Sequence, residues 1–305
     1  MVRTAGTGFT AEGSPFPVVG VNCYFLSRCG DEARESTLAS IQAAGANTIR
    51  STAFHNPAGL GQLDALVAAA ERAGLRLILP LVNYWDDFDG MSGYLERLFP
   101  GERLAREEFY SRPQARAAFQ EWIATVVKRG YRDSPAILAW ELANEPRCGR
   151  DCRPMLAWIA EMAPFVKSLD PNHLVAAGDE GHAVVDEILA IPEIDFGTYH
   201  FYPAAHQMNV PPAYGREWIA RHIDAGRRAN KPVLLEEYGI AGPYRDAWYA
   251  EWQSAVCELG GAGDLVWMMG GRHPEVAAYR DEYTVYSAEE IPSLARHAAA
   301  MLRRT

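Results

Sequence analysis

The chain has 305 residues, 49% hydrophobic and 22% charged, the balance of a globular protein with a substantial core and not of a disordered one. Its 29 basic residues against 39 acidic ones give a formal net charge of −10, so the surface repels phosphate backbones and no nucleic-acid partner is expected. No apolar run reaches the length of a membrane span, so no membrane partner is expected; Met1-Val2-Arg3-Thr4 opens no apolar signal stretch, which leaves a cytoplasmic protein or a secreted one with its signal removed.

Residues 18–22 read as a first strand and 31–44 as an amphipathic helix. Residues 47–54 form a second strand, followed by an alanine-rich helix over 61–73. Residues 75–82 are almost continuously apolar, as in a parallel strand buried on both faces. A helix over 113–129 carries Pro113 in its first turn. A fourth strand over 136–144 and a helix over 155–169 come next. Strands five to eight fall at 174–177, 196–202, 233–237 and 265–268, with helices at 183–190, 216–229, 246–259 and 290–303.

Eight strand–helix alternations without a linker favour a closed (β/α)8 TIM barrel over an open doubly wound sheet, so residues 1–305 are expected to form a single domain. No Gly-x-Gly-x-x-Gly follows the first strand, which weakens a dinucleotide-binding reading. The five cysteines lack zinc-site spacing; composition favours reduced structural thiols, while Cys23 with Cys29 and Cys148 with Cys152 are close enough for small disulfide loops in an oxidising compartment. No metal set and no cofactor emerge.

Function in such a barrel sits where strands end. Those ends carry Arg50, Trp85, Asn144, Glu145, Arg147, His200, Tyr202, Glu237 and Trp267. Rings stack on sugar faces, amides and imidazoles bond hydroxyls, and two carboxylates can protonate a glycosidic oxygen and attack the anomeric carbon. Taken singly, Arg50 would more often be an ion-pair partner, for instance of Glu141. His200 or Trp267 alone would more often be core. Glu145 and Glu237 are hard to explain as core, because unpaired buried carboxylates are costly. Trp122, Trp140, Trp158 and Trp252 are assigned to packing, and His55, His173, His182 and His222 to the surface or loops.

Four segments taken together resemble glycoside hydrolase family 5, in the form found in fungal and plant endo-β-1,4-mannanases. They are Trp140-Glu141-Leu142-Ala143-Asn144-Glu145-Pro146-Arg147-Cys148, Leu234-Leu235-Glu236-Glu237-Tyr238-Gly239, Thr198-Tyr199-His200-Phe201-Tyr202-Pro203 and Asn83-Tyr84-Trp85-Asp86-Asp87-Phe88. The likeness runs in unbroken order over nearly the whole chain. It implies that Glu145 is the general acid/base and Glu237 the nucleophile of a retaining enzyme that cleaves mannan or glucomannan. It implies that Asn144 bonds the 2-hydroxyl of the −1 sugar, that Arg50 and Tyr202 orient Glu237, that His200 supports the pair, and that Trp267 is the platform under that sugar. Trp85 and Arg147 are expected to contact sugars further along the cleft. The implied partner is a polysaccharide or oligosaccharide substrate. An exo-β-mannosidase, a β-1,4-glucanase and a non-catalytic carbohydrate-binding barrel remain as alternatives, separable by product analysis on a panel of glycans.

Three expectations about geometry follow. The Glu145 and Glu237 carboxyl groups should lie about 5–5.5 Å apart. Glu145 should have a raised pKa beside a charged Glu237 that Arg50 keeps ionised. Strand alternation lets only one of Glu236 and Glu237 face the barrel axis, and it cannot aim both Asn144 and Glu145 inward without a bulge or turn. Where the family's mannanases carry tryptophans, this chain has Thr52 and His206, and its segment 178–191 is shorter, which leaves endo or exo action open.

Overall fold

Short apolar segments that cannot satisfy their backbone groups alone pair in parallel and bury both faces, and this is how the chain builds its core. The structure is a computed structural model that describes residues 1–204, 207–287 and 289–303. Three antiparallel strands come first, Val2–Ala5 (β1), Gly8–Ala11 (β2) and Ser14–Pro15 (β3). The next eight are Val18–Asn22 (β4), Thr48–Arg50 (β5), Arg76–Pro80 (β6), Ile137–Glu141 (β7), Leu174–Ala176 (β8), Gly197–Phe201 (β9), Val233–Tyr238 (β10) and Gly263–Val266 (β11). They form one parallel sheet in the order β8-β7-β6-β5-β4-β11-β10-β9, and a single bridge from Ala176 to Phe196 joins its two edges. This is the expected eight-stranded barrel, with one thin seam.

The opening hairpin was not legible in the sequence, since β1 to β3 are too short to show a period. Its role is clear from packing. Val2 and Phe9 join Val18, Leu138, Leu174, Phe196 and Leu234 in an apolar cluster distinct from the main core. These residues lie at the starts of the barrel strands, so the hairpin seals that mouth. Helix Met91–Leu98 is a second unexpected element, and it sits inside the long connection after β6.

Several strands stop earlier than expected. β5 ends at Arg50 and β7 at Glu141, although the chain keeps following its neighbours: Ala53 N donates to Pro80 O and Asn144 N to Val82 O. The freed residues leave the regular ladder just where the polar side chains begin.

Two histidines expected at the surface are buried. His173 packs in the core with Nδ1 2.6 Å from Asp170, which also accepts the Trp140 indole N–H. His222 stacks on Tyr199 at 4.3 Å. His222 stands four residues after Trp218 on the inner face of helix Gly215–Ala229, a placement the helical period does predict. Trp122, Trp140, Trp158 and Trp252 are buried, as expected. Cys148 and Cys152 form a disulfide, whereas Cys23 and Cys29 are free and buried.

Candidate active site

The strand C-termini open into a cleft of about 930 Å³, and all nine residues singled out in the sequence line it. Local backbone devices put the two key carboxylates there. Asn144 bridges to Asn83, and Glu145 then turns with φ +52°, a left-handed conformation uncommon for a residue with a side chain. That turn re-aims Glu145 into the cleft, the device that strand alternation demanded. Glu145 N donates to Gly178 O, and Gly178 itself has φ +83°; a Cβ there would lie 1.8 Å from Ala143 O, so only glycine lets the chain after β8 come this close.

On the opposite side a bulge resolves the Glu236–Glu237 pair differently from expectation. β10 pairs Leu235 with Tyr199 and Glu237 with His200, leaving Glu236 as an extra residue. Both carboxylates therefore turn to the barrel axis. Glu237 lines the cleft, and Glu236 lies fully buried, 3.4 Å from Arg50 Nε. Simple alternation fails because the inserted residue shifts the phase of the strand.

Arg50 is the hub. Its guanidinium meets Glu141 through Nε and Nη2 at 2.9 and 2.6 Å, Glu237 through Nη1 at 2.5 Å, and Asn144 Oδ1 through Nη2 at 2.7 Å. The structural reading of Arg50 and the functional one are thus both realised in one side chain. Tyr202 O–H donates to the other Glu237 oxygen at 2.7 Å. Asn144 donates to Asn83 Oδ1 at 3.0 Å. Glu145 meets His200 Nδ1 at 2.8 Å through one oxygen and the Trp85 indole N–H at 2.5 Å through the other. Trp267 stacks on Tyr24 at 5.7 Å, and its indole N–H is held by Asp281 at 2.7 Å.

One oxygen of Glu145, one of Glu237 and a ring nitrogen of His200 lie within 4.8 Å of one another. Retaining glycosidases space their carboxyls at about 5–5.5 Å, and inverting ones leave about 6.5 Å or more for a water. Among the described residues this is the only trio of potential chelating groups so close, and each member is already committed to a hydrogen bond of the cluster. The arrangement reads as proton-transfer machinery.

The charge distribution reverses one expectation. Burial pushes Glu145 up, but the His200 hydrogen bond and charge, the Trp85 N–H and the Arg147 charge bring it down to about 2. Burial raises Glu237, with the Glu145 charge adding to the rise, and His200 and Arg50 only partly oppose it. Burial alone would lower His200, yet the charge of Glu237 and the contacts with Glu145 and Glu236 carry it well above its usual range. Both directions favour an ionised Glu145 beside a protonated imidazole, opposite to the rise expected for Glu145. The Glu145–His200 contact crosses two strands, so nothing in the sequence could weigh it.

Trp85 and Arg147 are also nearer the centre than expected. Trp85 binds Glu145 directly, and the Arg147 guanidinium stacks over Trp85 at 4.5 Å while paired to Glu180 at 2.6 and 2.7 Å. Thr52 turns its hydroxyl to Ser27 and to Tyr24 O, and His206 lies outside the described residues. Sequence reasoning missed Asn22, Asn83, Tyr24, Phe88, Glu180 and Asp281, all of which line the cleft. Asn22 and Asn83 stand at strand ends like the residues that were found. Tyr24 opens a one-turn 3-10 helix and the others sit on loops, where no period marks them.

Asp179 lies in the same wall. Burial raises its carboxyl to about 7, against one hydrogen bond from Gly181 N. A carboxyl raised in the folded state stabilises the fold fully below its unfolded pKa near 4 and loses that contribution as pH rises through 7. Between about pH 5 and 8 Asp179→Asn should therefore lose less stability than the parent, the two diverging by about 2–3 kcal/mol. Parallel decline of the two midpoints would refute the assignment.

Comparison with known proteins agrees with this geometry. The family model described as GH family 5 beta-mannosidase-like matches residues 45–258. The chain is 33% identical to mannan endo-1,4-beta-mannosidase F of Aspergillus fumigatus, over 93% of this chain and 74% of that one. It is 34% identical to mannan endo-1,4-beta-mannosidase A of Podospora anserina, over 93% of this chain and 86% of the relative. The structure superposes on the endo-1,4-beta-mannanase from Rhizomucor miehei with a TM-score of 0.91 at 29% identity, covering 99% of both chains.

Proposed function

The chain belongs to the glycoside hydrolase family 5 β-mannosidase-like family, and from that premise we propose that it is a retaining glycosidase cutting internal β-1,4-mannosidic bonds of mannan or glucomannan. The observation that carries the reading is the carboxylate pair within 4.8 Å, with Arg50 and Tyr202 on Glu237 and with His200 and Trp85 on Glu145. Residues 1–305 act in it as one catalytic unit.

In the first step Glu237 attacks the anomeric carbon while the bond to the leaving oxygen breaks. Glu145 protonates that oxygen, with the proton supplied along its 2.8 Å hydrogen bond from His200. Forming the ester removes the Glu237 charge, so the imidazolium loses its strongest attraction just as its proton is needed. In the second step water attacks the anomeric carbon, the ester bond breaks, and the water proton returns to the Glu145–His200 pair. Arg50 and Tyr202 hold both Glu237 oxygens, which orients the nucleophile without protonating it: Tyr202 is buried beside a carboxylate and stays a donor well beyond neutral pH.

Asn144 uses one of its two amide hydrogens on Asn83, and the second is free for the 2-hydroxyl of the −1 sugar. Trp267, fixed by Asp281 and backed by Tyr24, is the platform beneath that sugar. Arg147 on Trp85 forms the wall toward the leaving-group side.

Endo action has a simple signature. The viscosity of a mannan solution should fall well ahead of the release of reducing ends, with cellulose turned over far more slowly. Steady release of mannose with viscosity preserved would replace this reading with an exo enzyme.

A further inference from the structure

The mechanism above leaves the buried acid next to the nucleophile unused. Glu236 is fully buried directly beneath the site, and neither of its oxygens, nor Nε2 of the equally buried His200, has a partner at hydrogen-bond distance. A carboxylate in that position is costly unless a cation answers it. Two do: Arg50 Nε stands 3.4 Å away and His200 Nε2 3.6 Å away. We propose that Glu236 is a positioning residue for the acid/base, holding His200 doubly protonated from below so that its Nδ1–H is presented to Glu145.

Glu236 faces both cations, and the other groups packed around it are already engaged elsewhere. β5 contributes Arg50, whose charge Glu141 from β7 shares bidentately. Burial raises Glu141, whereas Arg50 and His200 hold Glu236 below its usual range in spite of its burial. Asp179, after β8, is likewise raised by burial. Asn22 of β4 donates to the backbone carbonyls of Glu236 and Val266, and Asp264 of β11 is turned onto Tyr238 and His297. Glu237 sees His200 from the cleft side, Nδ1 at 3.6 Å, and loses its charge during the reaction. Glu236 does not. It is the fixed anion of the cluster, and it keeps the imidazole able to take its proton back when water must be deprotonated. The bulge that turns both glutamates inward is what makes this stacking of one carboxylate above the other possible.

This role rests on Glu145 being the acid/base, and the tests separate the two ideas. Glu236→Gln keeps the shape and removes the charge. The alkaline limb of kcat/KM on mannooligosaccharides should move down by about one pH unit, the low end of what an opposite charge at ion-pair range does to a titrating group. Above that limb the variant should lose roughly tenfold relative to the parent. Glu236→Asp restores the charge and should return the limb toward the parent's. An aryl mannoside whose phenol leaves without protonation should show no such displacement, whereas a merely structural defect would lower both substrates alike. Nitrogen NMR of the imidazole reads the same claim without hydrolysis: at neutral pH His200 should carry protons on both nitrogens in the parent and on one in Glu236→Gln. An unmoved limb in Glu236→Gln, or a singly protonated His200 in the parent, overturns the proposal. If instead Glu145→Ala behaves no differently on the two classes of leaving group while the NMR result holds, the acid/base assignment fails and the Glu236–His200 linkage stands.

Discussion

Glu237→Ala should lower mannan hydrolysis by on the order of 10⁶, the scale of losing a nucleophile from a coupled catalytic set. Arg50 and Tyr202 each hold one Glu237 oxygen, so the substitution removes a carboxylate that its neighbours aim and keep in place. Glu145→Ala should cost less, roughly 10²–10⁴, and least on substrates with acidic leaving groups, because general acid assistance is what is lost. Azide distinguishes the roles further. Added to Glu237→Ala it attacks the sugar directly and gives the inverted α-glycosyl azide. In Glu145→Ala it intercepts the glycosyl-enzyme and gives the β-glycosyl azide. Exchange of those two products between the variants would exchange the assignments.

The second large effect falls on stability. Arg50→Leu leaves Glu141, Glu236 and Glu237 in the barrel interior without the guanidinium that faces all three. Removing one partner from a buried ionic cluster strands the others, at a cost of about 3–5 kcal/mol. For a chain of this size that corresponds to a midpoint lower by roughly 5–8 °C. Arg50→Lys keeps the charge but not the fork that spans Glu141 and Glu237, so it should recover only part of the loss. The acid limb of activity should also move to higher pH in Arg50→Leu, since the nucleophile loses the cation that favours its ionised form. Calorimetry of the three proteins decides: an Arg50→Leu variant within about 1 kcal/mol of the parent would mean that the cluster relaxes by other means.

The barrel was legible because parallel strands buried on both faces leave near-continuous apolar runs, and residues 75–82 are an example. The catalytic strand ends were legible because polar residues are expensive where those runs end. Three things were not. β1 to β3 are too short for a period to emerge. Glu236 was set apart from Glu237 by a rule of alternation that one bulged residue cancels. The proton was placed on Glu145 because its contact with His200 joins residues 55 positions apart, and only the folded chain brings them to 2.8 Å. His222 differs from these, because helical spacing placed it inside and could have been used. Cys148 and Cys152 remained open for a chemical reason, since four residues of separation permit a bond without requiring one.

The most direct test is to trap the intermediate. A mannosyl donor with a fluorine at carbon 2 and an activated leaving group slows both steps, the second more than the first, and lets the glycosyl-enzyme accumulate. Peptide fragmentation by mass spectrometry then locates the sugar. The account predicts one sugar per chain, on Glu237, with none on its neighbour Glu236. A label on Glu236 or Glu145, or full turnover of a natural substrate to the α-configured product without any covalent species, would contradict it.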